Sequence, residues 1–272
     1  MTRSHELKFP TPSLTRRLGG MLGVDFYRLF HTPMLYIFLG IAAIIPAMVL
    51  GMTTTADGTA PLYGNTWNVI AADMPLYVVR DIGDYANMNM VFIFGGIMVS
   101  IFIGHDYQSG YVKQLFTTHA RKVDYMLSKT LTCAFAMACM CVSYLLGALA
   151  GGIFAGADWD VPVGSLVLAI LGKMLMSLGW ASFYTLLNVI FRKKFGIAIA
   201  ASFFFGTGIP VIGAAAVVGN TPVLNLFLYG SSVNACLGSD LGTLTVCMSV
   251  SVLWALVCTL MGTLILSHSD VY

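Results

Sequence analysis

Charged side chains are scarce in this chain of 272 residues. Only 10% of the residues are Asp, Glu, Lys or Arg, whereas 58% are apolar, and a soluble domain averages roughly 25% charged residues. So few charges cannot form the surface of a water-soluble protein of this size. The composition therefore predicts an all-α polytopic membrane protein, because helices satisfy their own backbone hydrogen bonds inside a bilayer.

The sequence also lacks the short motifs of nucleotide, metal and hydrolase sites. Its nearest approach to a phosphate-binding loop is Gly172-Lys173, which is followed by Met174 instead of serine or threonine. The motifs HExxH and GxSxG are absent, His105-Asp106 has no third partner, and the five histidines are scattered. We therefore expect that the chain is not an enzyme and holds no cofactor or metal of its own.

Cysteine pairs with the spacing of a metal or redox centre are missing as well. No two of the six cysteines are separated by two residues, and Cys139 and Cys141 point to different faces of a helix. Five lie inside apolar runs and Cys236 lies in a loop. We interpret them as small packing residues.

Six apolar runs dominate the chain, and most are close to the ~20 residues that a hydrocarbon core of ~30 Å requires. We predict spans at about 34–52, 85–104, 130–153, 163–191, 195–219 and 243–266. The predicted domains are a cytoplasmic arm with an amphipathic helix over 1–33 and a single six-span membrane domain over 34–272. The first 33 residues lack the compact apolar core of a signal peptide, so we expect the first span to direct insertion.

Residues 13–32 predict an amphipathic helix that lies in the cytoplasmic interface. Six large apolar side chains share one helical face, at Leu14, Leu18, Met21, Leu22, Phe26 and Leu29. The arginines fall elsewhere, but Asp25 intrudes on the apolar face and three glycines weaken the helix. A partly ordered basic arm is the alternative.

Basic residues are distributed unevenly between the loops, and their distribution predicts the orientation. Twelve of the fourteen Lys and Arg residues fall in the N-terminal segment, in loop 105–129 and in the turn 192–194, whereas loops 154–162 and 220–242 have none. A chain with six alternating spans then has both termini in the cytoplasm and spans the cell membrane several times. Since the basic residues serve this orientation, we expect no nucleic-acid partner.

The fifth run carries three glycines and Pro210 within eight residues. Proline removes a backbone hydrogen bond, so we predict a kinked or broken span. Residues 220–242 are too apolar for a free loop and too short to cross twice. They predict an outer re-entrant segment, with a helix lying on the outer surface as the alternative.

Lys173 is the only ionisable residue within a predicted span. Charges inside a membrane are candidates for substrate binding or gating. Counting back about 20 residues from the basic turn 192–194 places Lys173 near the outer interface, where its amine would extend to water. Both interpretations stay open here.

Residues 105–129 form the longest polar interruption between two apolar runs. We predict a short cytoplasmic helical hairpin between spans 2 and 3 that contacts a soluble partner. Tyr107, Tyr111 and Leu115 follow i, i+4 spacing and form an apolar face with Phe116. Basic side chains, at Lys113, Arg121 and Lys122, are placed to meet either acidic groups of that partner or anionic lipid head groups.

The sequence FIGHDYQSGYVKQLFTTHARKVDYMLSKTL, residues 102–131, resembles the cytoplasmic segment of type-2 ATP-binding-cassette (ABC) exporter permeases. Among these it is most similar to the small permeases of peptide-antibiotic resistance and lantibiotic immunity. The matching positions are Gly104, Asp106, Tyr107, Gly110, Lys113, Arg121, Tyr125, Ser128 and Lys129. Asp106 replaces the commoner glutamate, Tyr111 replaces threonine and Ala120 replaces serine.

The resemblance implies a permease subunit that couples ATP hydrolysis to export of a hydrophobic or amphipathic substrate, such as a peptide antibiotic, drug or lipid. ATP and Mg would be bound by a separate P-loop ATPase subunit. A second permease protomer, identical or paralogous, would complete the pathway, and membrane lipid would surround both. A stand-alone secondary transporter or channel and a non-transporting sensor or immunity protein are the alternatives.

Two sets of residues follow from this hypothesis. We expect the contact with the ATPase to involve Asp106, Tyr107, Gly110, Tyr111, Lys113, Leu115, Phe116 and Arg121. We expect the pathway or its gate to involve Gly95, Gly96, Lys173, Gly206, Gly208 and Pro210.

The predicted orientation can be checked by labelling single cysteines in a background without the six native ones. A cysteine at Lys113 should react with a membrane-impermeant maleimide only in inside-out vesicles, and one at Asp158 only in right-side-out vesicles. Labelling of position 113 from the outside of the cell would contradict the orientation and the contact with a cytoplasmic ATPase.

Overall fold

A computed structural model describes residues 13–52, 89–117, 121–154, 163–192, 194–218, 222–237 and 241–268. The acidic loop after the first predicted span, the start of the second span at 85–88 and Cys236's side chain lie outside this description. Every regular element in the described part of the chain is helical.

The helices follow one another with short breaks. They are α1 (Leu14–His31), α2 (Pro33–Met52), α3 (Asn89–Gln108), α4 (Tyr111–Thr117), α5 (Lys122–Phe154), α6 (Val163–Ile190), α7 (Phe195–Gly206), α8 (Ile209–Val218), a 3-10 helix (Pro222–Leu226), α9 (Leu228–Leu237) and α10 (Leu241–His268). The polar stretch 105–129 thus consists mostly of the ends of α3 and α5, with α4 between them.

Four helices are individually long and apolar enough to cross a membrane. They cover Met90–Gln108, Lys122–Gly151, Ile170–Ile190 and Leu244–His268. A fifth crossing is formed if α1 and α2, which are bent by 65° relative to each other, are taken as one broken span. The polytopic helical class is therefore confirmed with four or five spans, and the prediction of six goes beyond them.

The bend between α1 and α2 has a local cause in the sequence. Thr32 has an extended backbone (φ −95°, ψ 123°), which is the conformation that a following proline favours. Pro33 then opens α2, where its missing N–H costs no hydrogen bond. The bend lets the amphipathic α1 run along the end of the bundle while α2 enters it.

The core of the bundle is built around α6, which packs against α3, α5, α7, α9 and α10. Trp180 stacks on Phe92 of α3 and on Tyr184, with ring centroids 5.6 and 5.3 Å away. A polar chain crosses the same region: Asn188 donates to Ser100 over 3.1 Å, and Ser100 lies 2.9 Å from Ser202. Such hydrogen bonds tie helices together where no hydrophobic effect acts between them.

The fifth apolar run is broken as the sequence predicts. α7 ends at Gly206 and α8 begins at Ile209, and Gly208 between them has φ +72°, a value that side-chain-bearing residues rarely adopt. The following segment folds back against the bundle. Trp254 donates its indole N–H to the carbonyl oxygen of Leu226 over 2.9 Å, ten residues, or about 15 Å, along α10 from Leu244.

The segments that carry most of the basic residues meet at one end of the bundle. Arg17 pairs with Asp124 over 2.8 Å, and Lys122 donates to the carbonyl oxygen of Leu266 at the end of α10 over 2.5 Å. A cation is favourable there because helix C-termini carry partial negative charge. These contacts agree with the relative arrangement of loops that the basic residues predict, while the side of the membrane stays a prediction.

Lys173 does not reach the surface of the bundle. It is 1% exposed, so the expectation that its amine extends toward the outer interface is not met. The described cysteines are free, and Cys133, Cys141, Cys247 and Cys258 are buried, as expected for packing residues.

The closest helix contact generates a test of the packing. A Cβ atom added at Gly147 of α5 would collide with the backbone of Ala43 in α2, whereas one added at Gly40 of α2 would meet nothing within 4 Å. We expect Gly147→Ala to cost about 1–3 kcal/mol through overpacking and Gly40→Ala to be neutral. Melting of the two variants in detergent, followed by size exclusion, measures this; equal melting temperatures would contradict the close contact.

Candidate functional site

Four buried charges join three helices at the basic end of the bundle. Asp25 and Arg28 lie one turn apart on α1, Asp106 lies near the end of α3, and Lys129 lies in the third turn of α5; we call these four residues the ion cluster. Asp25, Asp106 and Lys129 are at most 1% exposed, and the side chain of Arg28 is 24% exposed.

The amine of Lys129 lies between the two carboxylates. Its Nζ is 2.5 Å from Oδ1 of Asp25 and 2.6 Å from Oδ2 of Asp106. Arg28 donates from Nη2 to the other oxygen of Asp106, and Ser128 donates to Oδ2 of Asp25 over 2.6 Å. Each carboxylate is therefore held by groups from two sources, and the cluster carries no net charge.

The cations are charged in this setting. Burial lowers the pKa of the Arg28 guanidinium, but the hydrogen bond and charge of Asp106 raise it by more, so the pKa lies above its ordinary value. Since separating buried ions leaves a desolvated charge without compensation, the pairing resists being broken. α1 is thereby bound to α3 and α5 by charge as well as by apolar contact.

Aromatic rings enclose the two cations. The guanidinium carbon of Arg28 lies 4.5 Å from the ring centre of Tyr111, and Nζ of Lys129 lies 4.7 Å from that of Phe102 and 5.7 Å from that of Tyr125. Rings attract cations through their negative faces. Because Tyr111 is the first residue of α4, these contacts connect α4 to the ion cluster.

The short helix α4 lies against the protein by one face. Gly110 has φ +73°, which allows the chain to reverse between α3 and α4. Val112 is 1% exposed and belongs to an apolar cluster with Tyr125 and Met126, against which Leu115 and Phe116 pack. The opposite face is polar and exposed, at Lys113, Gln114 and Thr117.

The structure brings the predicted coupling residues into two layers. Asp106 belongs to the ion cluster, Tyr107 and Tyr111 are partly buried beside it, and Leu115 and Phe116 face inward. Lys113 and Arg121 are exposed. The apolar face predicted for a partner is thus largely occupied by this chain's own core, while contact with an ATPase through any of these residues stays a prediction.

The residues predicted for a pathway lie apart from the ion cluster. A Cβ atom at Gly95 would come within 2.8 Å of Met137, and one at Gly96 within 2.7 Å of the Tyr184 ring. Gly206 also approaches Tyr184, and Gly208 approaches the ring of Tyr229. These glycines allow close packing within the chain; their predicted role in a pathway is untested. Pro210 lies beside a cavity described below.

Three members of the ion cluster were missed as site residues. Asp25 was noticed only because it interrupts the apolar face of α1, and Lys129 only as part of a motif. The available signal was the pattern itself: an acid on the buried face of an amphipathic helix requires a buried cation elsewhere. Which of the fourteen basic residues supplies it cannot be read from spacing, since Asp25 and Lys129 are 104 positions apart.

The family model described as ABC-2 family transporter protein matches residues 85–234. This range is more than half of the chain and includes α3, α4, α5, α6 and the broken helix α7–α8. No curated protein matches the chain. Among the described residues, no three His, Cys, Asp or Glu side chains are grouped so that they could hold a metal ion.

The ion cluster predicts an asymmetry between single and double substitutions. Lys129→Met leaves two buried carboxylates with one cation, and we expect it to cost about 3–5 kcal/mol of stability. Adding Asp25→Asn restores neutrality and should recover about 0.5–3 kcal/mol as a favourable coupling energy. Melting of the purified variants in detergent measures both; Lys113→Met, on the exposed face of α4, is the control and should be neutral. A double variant that is no more stable than Lys129→Met would contradict the cluster.

Proposed function

Because this chain belongs to the ABC-2 transporter family and so forms the membrane subunit of an ABC transporter, we propose that it is an exporter permease driven by a separate P-loop ATPase subunit. The ATPase binds ATP and Mg and docks on the exposed face of α4. A second permease protomer, identical or paralogous, completes the pathway. The cargo is a hydrophobic or amphipathic molecule.

The ion cluster is the observation that supports this proposal. A permease must convert the motion of a soluble subunit into movement of its spans, and it needs a rigid connection to do so. The cluster ties α1, α3 and α5 together, and Tyr111 and the inward face of α4 attach the docking helix to the same unit. Force applied to α4 is then carried into two spans at once.

The roles of the predicted coupling residues follow from their exposure. Lys113 and Arg121 are exposed and contact the ATPase, on which they meet acidic groups. Asp106 and Tyr111 act as positioning residues because they fix α4 to the bundle. Gly110 allows the reversal of the chain that turns the polar face of α4 outward. Leu115 and Phe116 anchor the helix from below.

The nature of the cargo is argued from the scarcity of charge in the spans. Between the ion cluster and the far end of the described helices, Lys173 is the one charged side chain among the described residues of α3, α5, α6, α7 and α10 beyond their first and last turns and the cluster itself. An ionised cargo would find almost no counter-charge there, and uncompensated charge is costly at that depth. An uncharged or amphipathic cargo meets no such penalty.

Co-purification tests the partner and the docking helix together. The tagged full-length chain, purified from its own cells in mild detergent, should bring with it a subunit that contains a P-loop and hydrolyses ATP. Lys113→Glu should lower the amount of that subunit about fivefold or more, since a reversed charge at a docking surface costs about 1 kcal/mol or more.

The matched control is Lys194→Glu, because Lys194 is exposed at the same end of the bundle but lies outside α4. It should leave the ATPase subunit bound. Absence of any P-loop subunit would contradict the proposed partner, and equal losses in both variants would contradict docking on α4.

A further inference from the structure

A cavity of about 160 Å³ lies beside the break between α7 and α8. Six aromatic side chains line it, from α6, α7, the turn before α9, α9 and α10: Trp180, Phe183, Phe205, Phe227, Tyr229 and Trp254. The remaining lining is aliphatic and includes Val211 and Ala214. The cavity is thus apolar, and its volume is close to that of a protein cavity known to take one benzene ring.

The broken helix explains why the cavity exists. A continuous helix would carry its side chains along the groove between α6 and α10, but the chain turns at Gly208 and restarts at Ile209. Pro210 has no N–H and keeps the first turn of α8 from continuing α7. Leu228 and Tyr229 of α9 close the space from the other side.

The walls are rigid, so the cavity does not collapse when empty. The ring of Phe183 meets Phe205 and Trp254 edge to face, with centroids 5.2 and 5.8 Å apart. Trp180 is fixed by stacking between Phe92 and Tyr184. Edge-to-face and stacked arrangements are the favoured geometries of aromatic pairs.

One polar group in this wall has no acceptor. Trp180 is 2% exposed, and its indole N–H has no hydrogen-bond partner in the described structure. Buried indole N–H groups usually find an acceptor, and an unmet one is costly. By contrast, the indole N–H of Trp254 is satisfied by the carbonyl oxygen of Leu226.

The cavity is also accessible from the apolar surface. Phe205 is 36% exposed and Phe227 is 42% exposed, so two of the lining rings reach the outside of the bundle. Trp180 lies ten residues, or about 15 Å of helix, from the end of α6 at Ile190. A ligand therefore enters from the hydrocarbon region and not from water.

We propose that this cavity binds a small uncharged ring-bearing molecule that dissolves in the bilayer and carries one hydrogen-bond acceptor, which receives the N–H of Trp180. The ring fills the aromatic space and the acceptor satisfies the one unmet donor. A long acyl chain fits less well, since the space is compact and about one ring in size. The inference concerns binding and does not rest on the proposed ATP-driven export.

Heavy-atom quenching of tryptophan fluorescence tests the inference on the purified full chain in lipid nanodiscs. Two of the four tryptophans line the cavity. The probe is 4-bromoacetophenone, whose carbonyl is an acceptor, and the comparison is 1-bromo-4-ethylbenzene, which has a similar shape and no acceptor. Membrane partitioning of each is calibrated on empty nanodiscs. We expect saturable quenching, with the ketone binding about fivefold more tightly because of one hydrogen bond.

Two substitutions separate the cavity from the surrounding lipid. Ala214→Phe fills the cavity and should remove the saturable component. Ala138→Phe, the same change in a groove lined by α2, α5 and α6 residues, should leave it unchanged. If Ala214→Phe does not insert, Val211→Phe fills the same space from one turn earlier. Quenching that is non-saturable, or equal in both variants, would overturn the binding site.

Trp180→Phe tests the donor while Trp254 still reports binding. The ring contacts remain, so both probes should still quench, but the preference for the ketone should disappear. A fivefold preference that persists in Trp180→Phe would show that another group donates, and would overturn the assignment of the acceptor to Trp180.

Discussion

Two carboxylates and two cations removed from water hold one end of this molecule together. An unpaired ion at such a position costs several kcal/mol, and only close, well-directed partners offset that cost. Lys129 touches both Asp25 and Asp106, and Arg28 completes the second carboxylate. Separating any one helix from the others would expose an uncompensated charge to an apolar surrounding. The amphipathic α1, which would otherwise be a loosely attached surface helix, becomes part of the membrane body.

This constraint determines which parts move together. α5 contains 33 residues, or about 50 Å of helix, so a displacement at Lys129 is carried along the whole thickness of the bundle. At the same level as the core rings, the hydrogen bonds between Ser100, Ser202 and Asn188 join α3, α7 and α6. They are neutral and weaker than the charged contacts. The basic end is therefore the stiff part of the molecule, and the middle can rearrange at lower cost.

Local patterns were sufficient to predict most of the elements but few of the contacts between them. Hydropathy and turn residues predict the amphipathic α1, the break near Gly208 and Pro210, and the short helices after it, since each is dictated by neighbours in sequence. The burial of Lys173 and the pairing of Asp25 with Lys129 depend on packing between distant segments. No periodicity contains that information. The early start of α5 at Lys122 was missed because a polar first turn was taken for a loop, although its polar residues bind Arg17 and the end of α10.

The two ends of the chain's chemistry are thus separated along the membrane normal. Charges and the docking face of α4 lie at one end, where motion is received. The broken helix, its glycines and the aromatic cavity lie toward the middle, where backbone that cannot form a continuous helix must be covered by protein. α9 supplies that cover by inserting Leu228 and Tyr229 beside Trp180. Because α7 carries Ser202 and approaches Gly104 through Phe195, movement of α3 reaches α7 first. The break at Thr207–Gly208 is then the point at which that movement is absorbed, directly beside the cavity.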